Sequence, residues 1–195
     1  MKKLKFPENF DWGTASSGPQ SEGSQDKPHE SLWDYWYKND KERFYQNVGP
    51  KITCDSYNRY KEDIKIMAEL GLKSFRTSIQ WTRLIKNLET GEPDPKAVEF
   101  YNNYINEMLE NGIEPVMNLF HFDTPIELEQ KYGGFKSKKV TELYVKFAKT
   151  AFELFGDRVK RWITFNEPVA HTKGAYLYNF IYPAELSTKS FAQAS

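Results

Sequence analysis

Hydrophobic and polar positions along the chain repeat one unit four times: a short apolar run, then a longer stretch with apolar residues three and four apart. Phe10 to Ser16 reads as a buried strand that enters a polar Ser/Gly/Gln/Asp loop. The first strong helix covers Ser56 to Leu70, with Tyr57, Tyr60, Ile64, Met67 and Ala68 on one face, and Gly71 can supply the left-handed residue after it. Ser74 to Ile79 is the second strand. A loop through Gly91-Glu92-Pro93 leads to Asp94-Pro95, an N-cap with proline in the first turn, and a helix to about Asn111 carries Val98, Tyr101, Ile105, Met108 and Leu109 at helical spacing. Pro115 to Phe120 is the third strand. Lys138 to Phe155 is the third helix, with Val140, Tyr144, Phe147, Ala148, Ala151 and Leu154 inward, and Arg161 to Phe165 is the fourth strand.

Strands and helices alternating in this way predict an α/β fold with a parallel sheet and right-handed crossovers. No Gly-rich phosphate fingerprint opens the first helix, and polar residues follow every strand instead of gathering at one switch point. Both features favour a (β/α)8 TIM barrel over an open doubly wound sheet, with about the first four β/α units present in the chain. Four strands leave open edges, and the inner faces of Phe75, Val116, Leu119 and Ile163 are expected to lack partners. Self-association through those edges is expected.

The 195 residues are 39% apolar and 28% charged, enough for one domain with a sizeable core. Lys plus Arg and Asp plus Glu both number 27, so the basic excess of a nucleic-acid or anionic-membrane binder is missing. Met1 to Lys5 is basic, but Phe6-Pro7-Glu8-Asn9 follows with no apolar leader, which predicts a cytoplasmic protein. The single Cys54 cannot form an internal disulfide and reads as a small buried hydrophobe. No His, Asp or Glu set has metal-ligand spacing, and neither a metal nor another cofactor is expected. Aromatic residues reach 16%; most belong to a core, but sugar-binding clefts also use flat apolar faces.

Candidate chemistry centres on Ile163-Thr164-Phe165-Asn166-Glu167-Pro168, an apolar run ending in an amide, a carboxylate and a proline. A strand that stops there presents both polar side chains where parallel α/β folds keep their active sites. Taken alone, Glu167 could equally cap the following helix, since a carboxylate is favoured at a helix start. The other strand ends weigh against that reading: Gln20 follows the first strand, Arg76 and Trp81 belong to the second, and His121-Phe122-Asp123 follows the third. Trp81 reads as packing, and Asp11, Glu22 and Asp123 as turn or cap residues. His29 and His171 read as surface or helix residues.

These residues carry a resemblance. Phe6-Pro7-Glu8-Asn9-Phe10-Asp11-Trp12-Gly13-Thr14-Ala15-Ser16-Ser17-Gly18-Pro19-Gln20-Ser21-Glu22-Gly23 is similar to the amino-terminal signature of glycoside hydrolase family 1, the β-glucosidase and phospho-β-glucosidase family. Phe75 to Leu84 resembles its second-strand motif, His121-Phe122-Asp123-Thr124-Pro125 its third and Thr164-Phe165-Asn166-Glu167-Pro168 its fourth. The four together are highly specific and run from about Phe6 to Ala184. The resemblance implies a (β/α)8 barrel, of which residues 1–195 are the amino-terminal half of a single domain, and retaining hydrolysis of β-glycosides by two carboxyl groups. By the match, Glu167 is the acid and later the base. That double duty requires burial and a neighbouring carboxylate to hold its proton until substrate arrives. Asn166 would bind the sugar 2-hydroxyl, Gln20 and His121 would grip hydroxyls at the far side of the ring, and Arg76 would orient the nucleophile.

The family nucleophile, a glutamate in a Thr-Glu-Asn-Gly type motif on the seventh strand, has no counterpart in this chain. Glu110-Asn111-Gly112 follows Leu109 at a helix end and reads as a C-cap. The chain alone is therefore expected to be inactive. Phe122 with Asp123-Thr124-Pro125 is similar to the 6-phospho-β-glucosidase branch, so the expected partner is a small β-glucoside or its 6-phosphate, used in carbohydrate catabolism. A β-glucosidase acting on unphosphorylated sugars is the alternative, and a non-catalytic half-barrel that only binds carbohydrate is a third reading.

Overall fold

The computed structural model describes residues 4–195, and the basic Met1–Lys3 lie outside them. The chain runs through β1 (Gly13–Ala15), α1 (Gly18–Ser21), α2 (Leu32–Asn39), α3 (Ser56–Glu69), β2 (Ser74–Ser78), α4 (Trp81–Leu84), β3 (Ile85–Asn87) and β4 (Glu92–Pro93). It continues with α5 (Pro95–Glu110), β5 (Glu114–Asn118), α6 (Ile126–Tyr132), α7 (Lys138–Phe155), β6 (Arg161–Ile163), α8 (Pro168–Tyr176) and α9 (Thr188–Ala194). Four strands form one parallel sheet in the order β1-β2-β5-β6, and β3 pairs antiparallel with β4 in a small ribbon. The four expected β/α units are thus present, in chain order.

The long helices begin and end where their termini dictate. Asp94 accepts a hydrogen bond from the Ala97 N–H at 3.0 Å and Pro95 opens α5, while Ser137 caps α7. Gly71 and Gly112 follow α3 and α5 at φ +77 and +72, and the second of these bears out the C-cap reading of Glu110-Asn111-Gly112. The strands are shorter than the apolar runs predict, but pairing continues beyond them. Ile79 N–H donates to Asn118 O at 2.9 Å, Leu119 N–H to Ile163 O at 2.9 Å and Asn166 N–H to Phe120 O at 2.9 Å.

Strand register decides which side chains meet the helices. Ala15, Arg76, Val116 and Arg161 form one cross-sheet row on the open, concave face, and Thr77, Met117 and Trp162 form a row on the helix side. Two expected inner-face residues are corrected by this. Phe75 alternates with Arg76, so it points the other way, is 4% exposed and lies in the core edge-on to Tyr104 with ring centroids 6.5 Å apart. Leu119, just past β5, is buried in the same cluster. Val116 and Ile163 are half-buried. Trp81 bears out its packing role: it is fully buried and stacks on Phe147, with centroids 5.6 Å apart. Edge strand β1 is exposed along its whole length. At the amino-terminal end of the concave face, Arg161 Nη2 reaches Asp11 at 2.9 Å and Glu114 at 2.6 Å, joining the first strand's approach to the last strand.

Candidate active site

The carboxyl ends of the strands bring the candidate residues together in two groups. Arg76 lies within β2 on the concave face, and its Nη2 donates to Asn166 Oδ1 at 2.6 Å. Because Asn166 N–H is already held by Phe120 O, the amide is fixed from both its backbone and its side chain. Glu167 follows at φ 45 and ψ 59, in the left-handed region, at the N-cap position of α8. Its side chain makes no capping hydrogen bond and it is exposed, so the capping role open to it in the sequence is not the one it fills here. The burial expected around Glu167 is likewise not supplied by the described residues.

Gln20 and His121 form the second group, lining a cleft of about 600 Å³ together with Trp33, Phe44, Cys54 and Phe122. Gln20 Oε1 accepts from Ser17 Oγ at 2.7 Å. Cys54 is exposed, with its Sγ 3.7 Å from Gln20 O, because it sits on the loop at the cleft rather than under a helix; the expectation of a buried thiol fails. His121 meets Asn118, whose Nδ2 lies 3.2 Å from its Nδ1. Burial, and then the Arg76 charge, push the His121 imidazole down to about 4, so the ring is neutral at pH 7.

Buried polar groups hold these loops in place. Glu22, expected at a turn, is instead 1% exposed and ion-paired to Arg83 at 2.7 Å, with further donors from Gln80 Nε2 at 2.7 Å and Tyr101 Oη at 3.1 Å. Arg83 also donates to Gln25 O and Gly23 O and lies 4.2 Å from the Tyr57 ring centroid. Gly18 N–H donates to Ser78 Oγ at 2.7 Å, and a Cβ at Gly18 would lie 2.3 Å from Gln80 Cγ, so only glycine allows this approach. Asp123 does fill a capping role, though for another unit: its carboxylate accepts from Trp81 N–H at 2.7 Å, at the start of α4, and from His121 N–H at 3.2 Å. Burial pushes that carboxyl up to about 6. Asp11 pairs with Arg161, and His29 meets Glu127 at 2.9 Å on the surface.

His171 lies on α8, as a helix residue, but it is buried. Its ring stacks on Phe122, is edge-on to Phe120, and leaves Nδ1 without a partner among the described residues. Burial pushes it down to about 4. The unfolded chain therefore binds a proton that the folded chain refuses as pH falls below about 6.5, and this contribution to stability is lost between there and about 4. At about 1.4 kcal/mol per pH unit the loss is about 3 kcal/mol. Urea titrations of His171→Phe and the parent at pH 7 and pH 4.5 are expected to show a smaller acid loss in the variant; equal losses would refute this assignment.

Among the described residues no group of three His, Cys, Asp or Glu side chains could hold a metal ion, and no helix is long and apolar enough to cross a membrane. Sequence reasoning did not single out Asn118, Trp33 or Tyr101. Asn118 carried a readable signal, a lone amide interrupting the apolar run from Pro115 to Phe120; Tyr101 looked only like one more core position on α5.

The model of Glycosyl hydrolase family 1 matches residues 2–194. The chain is 47% identical to the 6-phospho-beta-glucosidase GmuD of Bacillus subtilis, across 98% of its own length and 41% of the relative's. It is 41% identical to beta-glucosidase 24 of Oryza sativa, covering 97% of this chain and 38% of that protein. The chain thus spans about two fifths of the length of the curated relatives it matches. Among solved structures, the family 1 beta-glucosidase from Thermotoga maritima superposes with a TM-score of 0.91 at 36% identity, covering 97% of this chain and 43% of that one. Aphid myrosinase gives a TM-score of 0.90 at 37% identity, covering 98% and 42%.

Proposed function

The chain belongs to glycosyl hydrolase family 1, a family of TIM-barrel glycosidases, and from that premise we propose that it is the amino-terminal half of one barrel domain of a retaining β-glycosidase. In this reading Glu167 protonates the leaving oxygen and later activates water. Asn166, held by Arg76, meets the 2-hydroxyl of the sugar, and Gln20 and His121 grip the hydroxyls on its far side. Arg76 also orients the nucleophile, a second carboxylate that is not assigned to any of residues 1–195, so these residues alone are not expected to turn over substrate. The exposed β1 edge is where a continuing sheet, or a second molecule, would pair.

The observation that supports this reading most is the backbone of Glu167. A glutamate in the left-handed region costs free energy, on the order of 1–3 kcal/mol, and here no capping bond offsets it. An exposed carboxylate held at that cost beside a clamped amide fits an acid presented to a ligand.

For the glycone, 6-phosphorylated β-glucosides are the preferred substrates in this reading. It draws on Phe122 after the third-strand histidine and on the 47% identity to a 6-phospho-beta-glucosidase. A phosphorylated substrate also fits the expected cytoplasmic site of action. Free β-glucosides are the second reading, favoured by the similarity to rice beta-glucosidase 24. Paired kinetics on p-nitrophenyl β-glucoside and its 6-phosphate, using the catalytically complete protein, are expected to favour the phosphate by at least about tenfold in kcat/KM. A preference for the free glucoside would sink the phospho reading.

A further inference from the structure

We infer that Asn118 is a positioning residue that fixes His121 in the tautomer with its proton on Nε2, turning the ring into a hydrogen-bond donor to the cleft. The inference deepens the proposed sugar-binding reading, and rests on it only for the identity of the ligand.

Which atoms can donate decides the tautomer. Phe120 N–H, a group that can only donate, points at Asn118 Oδ1 at 3.3 Å. That contact sets the orientation of the amide: turned over, its NH2 would face the N–H of Phe120, donor against donor. With Oδ1 so occupied, Nδ2 faces His121 Nδ1 at 3.2 Å. An amide nitrogen carries hydrogens and has no lone pair to offer, so Nδ1 of the ring must accept and cannot hold the proton of the neutral imidazole. The proton is left to Nε2.

The surroundings leave the ring little freedom to escape this. Asn118 is fully buried and its own carbonyl accepts from Ile79 N–H at 2.9 Å, so the amide is anchored at the junction of the second and third strand ends. His121 is anchored through its backbone, whose N–H donates to Asp123 Oδ1 at 3.2 Å, and its ring leans on Phe122 with centroids 5.2 Å apart. Nε2 has no hydrogen-bond partner among the described residues and is not sealed from solvent, while His121 lines the cleft. The neutral state noted above, enforced by burial and by Arg76, is the state in which the choice of tautomer matters. An imidazolium would donate from both nitrogens and would have no use for Asn118.

A fixed donor at Nε2 specifies the ligand atom opposite it. That atom must offer a lone pair, as a hydroxyl oxygen does, and a sugar hydroxyl held there is oriented to give its own hydrogen elsewhere. A free-tautomer ring would accept either orientation and select neither.

The chain has three histidines, which makes the ring nitrogens individually observable by long-range ¹H–¹⁵N correlation spectra, with His29→Gln and His171→Phe used for assignment. At pH 7 the His121 Nδ1 of the parent chain is expected to resonate as an unprotonated, pyridine-type nitrogen and Nε2 as a protonated, pyrrole-type one. Asn118→Asp replaces the amide donor with an acceptor of the same shape, so the pattern is expected to invert or the ring to become an imidazolium. Asn118→Ala, should the aspartate variant fail to fold, is expected to give a mixture of the two tautomers. A proton on Nδ1 in the parent chain, or an unchanged pattern in the variants, overturns the inference. The sugar reading has its own readout in the same spectra: methyl β-glucoside 6-phosphate and, in a parallel titration, methyl β-glucoside are added, and at least one of them is expected to shift Nε2 of the parent chain. The parent pattern as expected, with no shift on saturating addition of either, counts against that reading alone.

Discussion

Glu167→Gln in the catalytically complete protein is expected to lower kcat/KM for β-glucosides with poor leaving groups by about 10²- to 10⁴-fold, the range lost when a positioned general acid is removed. The substitution keeps the size and hydrogen-bonding reach of the side chain, and glutamine tolerates the exposed position at the head of α8, so folding should be preserved. The acid is needed most when the departing oxygen is a poor anion. With a dinitrophenyl leaving group the first step should therefore survive better than with an alkyl glucoside, and the deficit should move to hydrolysis of the glycosyl-enzyme, where Glu167 is proposed to act as base. The alkaline limb of the pH-rate profile, which reports the acid, should disappear in the variant. Steady-state kinetics on the paired substrates check this. Uniform losses on all substrates with an unchanged pH profile would mean that Glu167 supports the fold or binds substrate without transferring a proton.

The second large effect concerns stability. Glu22→Gln is expected to destabilise the chain by about 3–5 kcal/mol, because it leaves the Arg83 guanidinium, 1% exposed, without its counter-ion. Against a typical total of about 5–15 kcal/mol, a loss of that size is severe. Arg83→Met should cost a similar amount by stranding the Glu22 carboxylate. The double variant should recover much of the loss, since replacing both members of a buried pair avoids the isolated charge. Urea unfolding of the four proteins of this cycle measures the coupling; additive losses would show that the two side chains act independently. The pair closes the segment that carries Gln20 onto α4, the short helix that follows β2, so the single variants should also loosen the cleft.

Much of this architecture could be read from periodicity because it is written locally. The Asp94-Pro95 start of α5, the glycines after α3 and α5, and the Lys138–Phe155 helix are each fixed by a few neighbouring residues. α2 was equally legible through its Ser31/Asp34 capping box, but its Trp and Tyr content, set in a polar stretch, hid the helical spacing. The failures share a different cause. Whether Phe75 or Arg76 faces inward depends on the parity of a strand whose two faces are occupied by a ring and a guanidinium, and neighbouring residues do not decide that. Glu22 looked like a turn residue because its partner, Arg83, is far away in the sequence, and Cys54 looked buried because a thiol's chemistry says nothing of the loop that carries it. The candidate site residues were legible through strand-end motifs. Asn118, which orients one of them, was hidden inside a run read only for its hydrophobicity.

The order of the sheet has a consequence for how the chain folds. Because β1-β2-β5-β6 follow one another in sequence, each unit can dock on its predecessor, and no strand must wait for a distant one to be threaded between its neighbours. β2 and β5 share the longest register, five residue pairs from Ser74↔Glu114 to Ser78↔Asn118, which makes them the natural seed. The Asp11–Arg161 contact spans a sequence separation of 150 and can close only after all four units are docked. Both partners remain about two-fifths exposed, so this last contact adds little free energy. The concave floor is therefore latched late and weakly, and it should be among the first places where the native chain reopens.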